Sequence, residues 1–450
     1  MFGRLARTLC TAYLIAVIVA IAAYKITGVG SVLTDPFFTI YGLVVATYIL
    51  SRFFLSLRYA PVADLGIEPR IAVVVPAFNE AAAIGSSLRS ILAVDYPEGK
   101  LEIVVINDGS ADETLDEIKK VASRSGRITV IDFAQNLGKR AAMAAGIRAT
   151  QAEVVVFVDS DSELAPDALR NLVQPFANHR VGAVAGHAEV TNAGENWVAR
   201  MQAVRYFVAF RVVKAAESIF GAVTCTSGCL AAYRRSAIIP HLSAWEKQSF
   251  LGKSATFGDD RSLTNYVLRS WDAVYQSNAV TRTIVPATIQ QFLRQQLRWK
   301  RSWTRESLII SRFIWRTNPA AAVGVYVGIA LNLLAPIVAV RALAVRPLAG
   351  FGTPILYLVG LYAMALVYAL YYAARKGTRD GVWVYGIVFV YFYLVFLLWQ
   401  TYYALLTCRK NHWGTRAASH GTDRGPFDDS ERPLIEITRF PLPAAAKGVS

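Results

Sequence analysis

Two carboxylates one residue apart, Asp159 and Asp161, directly follow the apolar run 154–158. Such a run reads as a buried strand, so both side chains emerge at its end. Carboxylates at this spacing suit Mg2+ or Mn2+, hard cations that take oxygen ligands and share them with phosphates. The competing assignment is a helix start before Pro166, with Asp161 or Ser162 as its cap. A second acidic pair, Asp259 and Asp260, opens a helical stretch with Arg261 after Gly258. Acidic residues are ordinary at a helix N-terminus. One of them, Asp260 first and Asp259 beside it, is also a candidate general base for a hydroxyl proton.

Weaker signals surround these. Pro76 and Glu80 close one apolar run, and Asp108 with Gly109 and Ser110 closes another. A carboxylate past a strand end can hydrogen-bond a nucleoside, although Asp-Gly-Ser is equally a plain turn. Lys139 and Arg140 begin a helix, where cations can meet a phosphate group. Further on, Gln295, Gln296, Arg298 and Trp299 sit together in a basic stretch. Arginine offers phosphate a planar fork, and tryptophan can stack on a sugar ring. Standing alone, that pair equally suits a membrane interface.

The elements that must position these residues follow from periodicity. Short buried-strand runs at 71–75, 103–106, 128–131 and 154–158 alternate with helical stretches at 81–92, 114–123 and 141–149. This pattern predicts a mostly parallel sheet covered on both faces, with ligands beyond the carboxyl ends of its strands. The candidate residues cluster at those ends.

The flanks differ from the middle. Of the 450 residues 54% are hydrophobic and 18% charged, a charge deficit against the usual quarter or so that sits in long apolar runs at both ends. Runs at 9–29 and 36–56 are each long enough to span a bilayer, although the first also has the look of a signal peptide. Residues 1–60 are thus read as two N-terminal transmembrane helices, and 70–286 as a catalytic domain. Arg52 and Arg58 place that domain in the cytosol. Residues 288–316 read as basic interfacial helix, with Ile289, Leu293 and Leu297 recurring every four residues. Residues 320–407 hold three or four apolar segments; the last contains a re-entrant or interfacial part if the basic clusters on both its sides are cytosolic. The tail, 408–450, is expected to be cytosolic and mostly disordered. Four cysteines (Cys10, Cys225, Cys229, Cys408) form no disulfide or zinc framework. The net charge of +15 comes with no nucleic-acid-binding pattern, so nucleic acid is set aside as a partner.

Taken in order and spacing, these segments resemble the processive family-2 glycosyltransferases, above all bacterial hyaluronan synthases. The likeness runs over 70–316 and resumes at Trp413-Gly414-Thr415-Arg416. It is carried by Tyr233-Arg234-Arg235, Gly258–Asn265, Val274-Tyr275-Gln276-Ser277 and Gln295-x-x-Arg298-Trp299. The segment Arg294–Trp299 equally resembles rhizobial chitin-oligosaccharide synthases. The resemblance implies an α/β GT-A domain inserted between transmembrane helices of a multi-pass plasma-membrane protein. It also implies Asp108 and Lys139 near the nucleotide, Asp159 and Asp161 at a Mg2+ or Mn2+ ion, and Asp260 as base. Pro76, Glu80, Arg261, Gln295, Gln296, Arg298, Trp299, Trp413 and Arg416 would contact substrate. The implied partners are UDP-sugar donors, a growing polysaccharide and the lipid bilayer, with no obligatory protein partner. Tyr391, Phe392, Tyr393, Phe396 and Trp399 are candidates to line a channel. Two donor sets remain open: UDP-glucuronate with UDP-N-acetylglucosamine, or UDP-N-acetylglucosamine alone. The family's Cys-Ser-Gly-Pro is replaced here by Thr226-Ser227-Gly228-Cys229, so its cysteine role does not carry over.

Overall fold

The computed structural model describes residues 36–350, 354–409 and 435–440, with isolated residues 12, 16 and 19. Trp413, Arg416 and almost all of the expected 9–29 span lie outside the described residues. From the N-terminus the main elements are α1 (Pro36–Arg58), β1 (Ile71–Ala77), α2 (Ala81–Leu92), β2 (Leu101–Asn107), α3 (Thr114–Ser125) and β3 (Ile128–Phe133). There follow α4 (Lys139–Arg148), β4 (Val154–Phe157), β5 (Ser162–Leu164), α5 (Ala168–Val173), β6 (Val181–Val190), α6 (Trp197–Val208) and β7 (Ala231–Arg234). The remainder are α7 (Asp259–Val267), β8 (Asp272–Thr283), α8 (Ile289–Ile310), α9 (Pro319–Val340), α10 (Ile355–Lys376), α11 (Tyr385–Phe392), α12 (Gln400–Leu406) and β9 (Ile435–Arg439). They divide into two compact units, residues 60–189, 217–284 and 408–450 in one and 1–59, 190–216 and 285–407 in the other.

The first unit is built on a nine-stranded sheet in the order β9-β3-β2-β1-β4-β7-β6-β8-β5. Strands β3, β2, β1 and β4 are parallel, as the alternating pattern predicts. Beyond β4 the sheet turns antiparallel through β7 and β6, with β5 antiparallel to β8. It is therefore a mixed sheet and not a mostly parallel one. Every residue of β1 is buried, which explains its unbroken apolar run: helices cover both faces and no polar side is needed. Pro76 lies past the β1–β4 register, which ends at Val74 and Phe157, so its missing N–H breaks no bond to β4. On one face α2 buries Ile84, Leu88 and Ile91, spaced as an amphipathic helix requires. On α4, Gly146 lies against β1, where a Cβ would stand 2.3 Å from Val74 Cγ1.

The competing helix-cap assignment does not hold. Ser162 and Asp161 do not cap a helix: Ser162 begins β5, which pairs with β8, and the nearby helix starts later, at Ala168. Within the tail, β9 pairs antiparallel with β3 from Ile435–Phe133 to Arg439–Thr129. Its β-branched Ile-Glu-Ile-Thr pattern suits an extended strand covering the open edge of β3.

The second unit is helical. Three of its helices are long and apolar enough to cross a membrane: Thr39–Arg58, Pro319–Leu348 and Tyr357–Lys376. A fourth crossing is possible if Val382–Leu397 and Gln400–Leu406, which meet at a 45° bend, form one span. That bend falls in the apolar stretch whose flanking charges make a single straight crossing awkward. Asn196, Thr288 and Asn318 cap α6, α8 and α9 through their side chains, each satisfying a backbone N–H left over at a helix start. On α8 the buried positions are Phe292, Gln296 and a run that includes Arg305 and Glu306, while Ile289 is exposed. The Ile289–Leu293–Leu297 stripe is thus not its buried face. The helix instead buries charge, which Arg305 and Glu306 pair at 2.8 Å.

Replacing Gly146 with alanine should force α4 away from β1, and with it the start of that helix at Lys139. We expect a loss of about 1–3 kcal/mol, typical of an overpacked core, read as a lower Tm of the purified protein.

Candidate active site

The carboxyl ends of β1, β2 and β4 and the start of α7 bring the sequence-predicted acidic residues together. Asp108, just past β2, is buried. Its carboxylate accepts the Leu137 N–H at 2.7 Å, the Gly138 N–H at 3.0 Å and Asn136 Nδ2 at 3.1 Å. It therefore shapes the loop that delivers Lys139. Gly109 is indispensable to that packing: its φ is +65°, and a Cβ would stand 2.3 Å from the Gln135 carbonyl carbon. The β1 loop is stitched to the same region, with the Asn79 N–H donating to Ser110 Oγ at 3.0 Å and the Glu80 N–H to Thr114 Oγ1 at 2.8 Å.

Lys139, at the first turn of α4, makes an ion pair with Asp159. Burial alone would lower its pKa, but Asp159, then Asp259 and Asp260, raise it, so it stays charged. Cys229 senses the same cluster. Burial pushes its thiol well up, Asp159, Asp161 and Asp260 push it further, and Lys139 opposes them. Its thiol is thus neutral and unreactive, while its surroundings show that Asp159, Asp161, Asp260 and Lys139 share one electrostatic neighbourhood.

The two carboxylates of α7 differ. Asp259 is buried and bonded to Arg140 Nε at 2.8 Å. Arg140 also donates through Nη1 to the Trp245 carbonyl and to Gln248 Oε1, both at 3.0 Å, and its guanidinium lies 5.3 Å from the centre of the Trp245 ring. Asp260 is only half-buried. It accepts the Arg261 N–H at 2.7 Å on Oδ1 and the Cys225 thiol at 3.4 Å on Oδ2. Beneath it, Thr264 Oγ1 donates to the Asp260 carbonyl at 2.6 Å and hydrogen-bonds Thr226 Oγ1 at 2.7 Å. Asp260 is thus the more open of the two carboxylates, and Asp259 is held in the interior by Arg140.

No group of three or more His, Cys, Asp or Glu side chains able to hold a metal occurs among the described residues. Asp159 and Asp161 nevertheless fit Mg2+ or Mn2+. Both are half-buried oxygen donors, and Asp159 already holds a cation, the Lys139 ammonium. One or two carboxylates, completed by phosphate and water, are the usual protein share for Mg2+.

Gln295, Gln296, Arg298 and Trp299 lie on α8, in the helical unit. Gln296 is buried. The Trp299 ring centre is 6.4 Å from that of Tyr206 and 5.3 Å from the Arg205 guanidinium. Sequence reasoning missed Cys225 as a neighbour of Asp260 and Arg140 as the partner of Asp259. Each contact joins residues 35 and 119 positions apart, and no local pattern announces either.

With this geometry in hand, comparison with known proteins gives the class. The family described as "Glycosyltransferase like family 2" matches residues 69–302, and this chain belongs to it. Its chemistry is that of a hexosyltransferase. Hyaluronan synthase of Streptococcus pyogenes is 37% identical over 289 residues, covering 63% of this chain and 68% of that one. The N-acetylglucosaminyltransferase of Rhizobium meliloti is 38% identical over 257 residues, covering 56% and 60%. That of Azorhizobium caulinodans is 33% identical over 361 residues, covering 79% and 89%. Both resemblances drawn from the motifs are therefore found among the relatives. A mannosyltransferase of Pyrobaculum calidifontis, solved in complex with GDP-Man and Mn2+, superposes with a TM-score of 0.57 at 23% identity, covering 78% of this chain and 97% of that one. That likeness establishes the GT-A-like fold.

Arg140→Ala should leave Asp259 buried without a partner and cost about 3–5 kcal/mol, measured by denaturant unfolding, with Arg140→Lys recovering part of the loss. A pH effect also follows. Burial pushes Asp108 up to about 7, against the Leu137 and Gly138 N–H bonds that lower it. The folded protein then holds a proton that the unfolded chain releases above about pH 4. The stabilisation is complete below that pH and is lost as pH rises through about 7. Tm should fall across this window in the wild type and stay flatter in Asp108→Asn.

Proposed function

We propose that this protein polymerises UDP-N-acetylglucosamine and UDP-glucuronate alternately into a β-linked, hyaluronan-like polysaccharide and moves the product across the membrane. The observation that carries the reaction type is the half-buried Asp260 beside the Asp159, Asp161 and Lys139 cluster at the sheet's carboxyl edge. Asp260 takes the proton of the acceptor hydroxyl as that oxygen attacks the anomeric carbon. Attack opposite the nucleoside diphosphate turns an α-linked donor into a β-linked product. Cys225 and the Arg261 N–H hold the Asp260 carboxylate in place, and Arg140 with Asp259 anchors the start of α7 beneath it.

Asp159 and Asp161 are the residues that would hold Mg2+ or Mn2+, which when bound offsets charge on the departing diphosphate. Lys139 adds a fixed positive charge for the same group. Asp108 acts through the loop that sets Lys139. Pro76, Glu80 and Arg261 border this edge as donor contacts. By motif alone, Gln295, Gln296, Arg298, Trp299, Trp413 and Arg416 are assigned to the diphosphate and the acceptor end. The catalytic domain is assigned to the cytosolic side of the plasma membrane.

A second reading, a UDP-N-acetylglucosamine-only synthase, is favoured by the long match to the Azorhizobium N-acetylglucosaminyltransferase, which covers 89% of that protein.

The deciding experiment gives detergent-purified protein, with Mg2+ or Mn2+, each donor alone and then both together. Long product only with both donors, digestible by hyaluronidase, is the expected result. Polymer from UDP-N-acetylglucosamine alone would replace the first reading with the second. In the productive mixture, Asp260→Asn should lower polymer formation by about 10²–10⁴-fold while UDP affinity is kept. Normal yield from that variant would remove Asp260 as base.

A further inference from the structure

The parallel side of the catalytic sheet ends on a strand supplied from residue 435 onward. In the order β9-β3-β2-β1-β4, β3 would be an open edge without β9. All five residues of β9 pair with it antiparallel, from Ile435–Phe133 to Arg439–Thr129. The Ile435–Phe133 pair lies closest to the site. Phe133 ends β3, and the chain then runs through Leu137 and Gly138, whose N–H groups hold the Asp108 carboxylate, to Lys139 at the start of α4.

A second path runs through side chains. Asp132 stands opposite Asn107 on β2 and opposite Glu436 on β9, so the three side chains form a row on one face of the sheet. Asn107 Nδ2 donates to Asp132 Oδ1 at 2.7 Å, and Asn107 Oδ1 accepts the Ser110 N–H at 3.4 Å. Ser110 Oγ in turn accepts the Asn79 N–H at 3.0 Å. The row thus reaches both the turn that carries Asp108 and the loop after β1.

Yet β9 is held lightly. Ile435, Glu436, Ile437 and Arg439 are exposed. Its apolar anchor is Phe440, half-buried against the core cluster that contains Ile128 and Val130. What remains is the backbone ladder, whose net gain is comparable with the entropy lost in ordering the segment. Glu436 opposite Asp132 also sets two carboxylates side by side, which weakens a cross-strand pair. Addition of an extended segment to a sheet edge is a common way for peptides to bind reversibly. We propose that residues 435–440 are a reversible clasp: docked on β3 they hold the 134–139 loop and the Asp108 turn in their donor-binding shape, and released they lower donor affinity. The binding site is the β3 edge, and its ligand is an extended peptide strand, here the chain's own. This rests on the reading of Asp108 and Lys139 as donor-side residues and adds a control over that site.

The test uses the full-length protein in detergent, with UDP affinity, hydrogen exchange over 128–133 and Tm measured on each sample. UDP binding by the wild type is the control: without it the donor reading falls, and the coupling with it. Ile437→Pro removes an N–H and fixes φ in the middle of β9. It should speed exchange over 128–133 and weaken UDP about three- to tenfold, with little change in Tm. A peptide of residues 434–440, added at about the millimolar level that a tethered segment experiences, should restore both properties, and a scrambled peptide neither. Glu436→Lys places opposite charges across the pair and should slow exchange over the same residues about two- to fivefold without weakening UDP. Release of β9 with unchanged UDP affinity overturns the clasp. So does a joint loss of UDP binding and Tm that the peptide does not reverse, because β9 would then be ordinary structure. Unchanged exchange in Ile437→Pro overturns it as well, since the ladder would not be what protects β3.

Discussion

Four carboxylates, Asp159, Asp161, Asp259 and Asp260, share one end of the sheet, and their mutual repulsion has to be offset where water is scarce. Two adjacent residues do this from different sides. Lys139 meets Asp159 near the open edge, and Arg140 meets Asp259 in the interior. Both cations stand in the first turn of α4, where the helix dipole disfavours positive charge. The carboxylates are what make that placement stable, and the cations are what make the carboxylates tolerable. Other features of the site follow from this exchange: a charged lysine beside the proposed metal ligands, a half-buried Asp260, and a neutral Cys229.

The fold serves that balance by bringing distant loops to one edge. Parallel strands β3, β2, β1 and β4 end together, so the segments after them meet without long excursions. The antiparallel continuation through β7 and β6 carries Tyr233 beneath Asp260, where its hydroxyl hydrogen-bonds Thr226. Close approaches then fix the details. Gly109 admits the Gln135–Asn136 backbone, and Gly146 admits Val74. A family-2 hexosyltransferase needs a preorganised charged site more than a deep one, because its reaction separates charge between a sugar and a diphosphate.

The helical unit solves a different electrostatic problem. It carries many cations and few carboxylates among its described residues. Arg305 and Glu306 neutralise each other in the interior, whereas Arg200, Arg205 and Lys300 lie on aromatic faces. An aromatic face lowers the energy of a cation without cancelling its field.

Much of this was legible from local pattern. Unbroken apolar runs fix β1–β4 because a strand buried on both faces has no use for polar residues. The residues after each run fix which loops carry chemistry. By type and spacing, Asp159 with Asp161, Asp260, and the Gln-x-x-Arg-Trp segment stand out as the candidates on which the proposed function rests. Periodicity was less informative where tertiary surroundings set the burial. On α8, Phe292 and Gln296 are buried while Ile289 is exposed, because neighbouring helices decide which of its residues are covered within the protein. Residues 435–439 carry a strand pattern too short to stand alone, and only the open edge of β3 makes it a strand. The sequence put Asp260 first but could not show what separates it from Asp259. Two neighbouring aspartates are chemically identical until Arg140, 119 residues away along the chain, buries one and leaves the other at the edge.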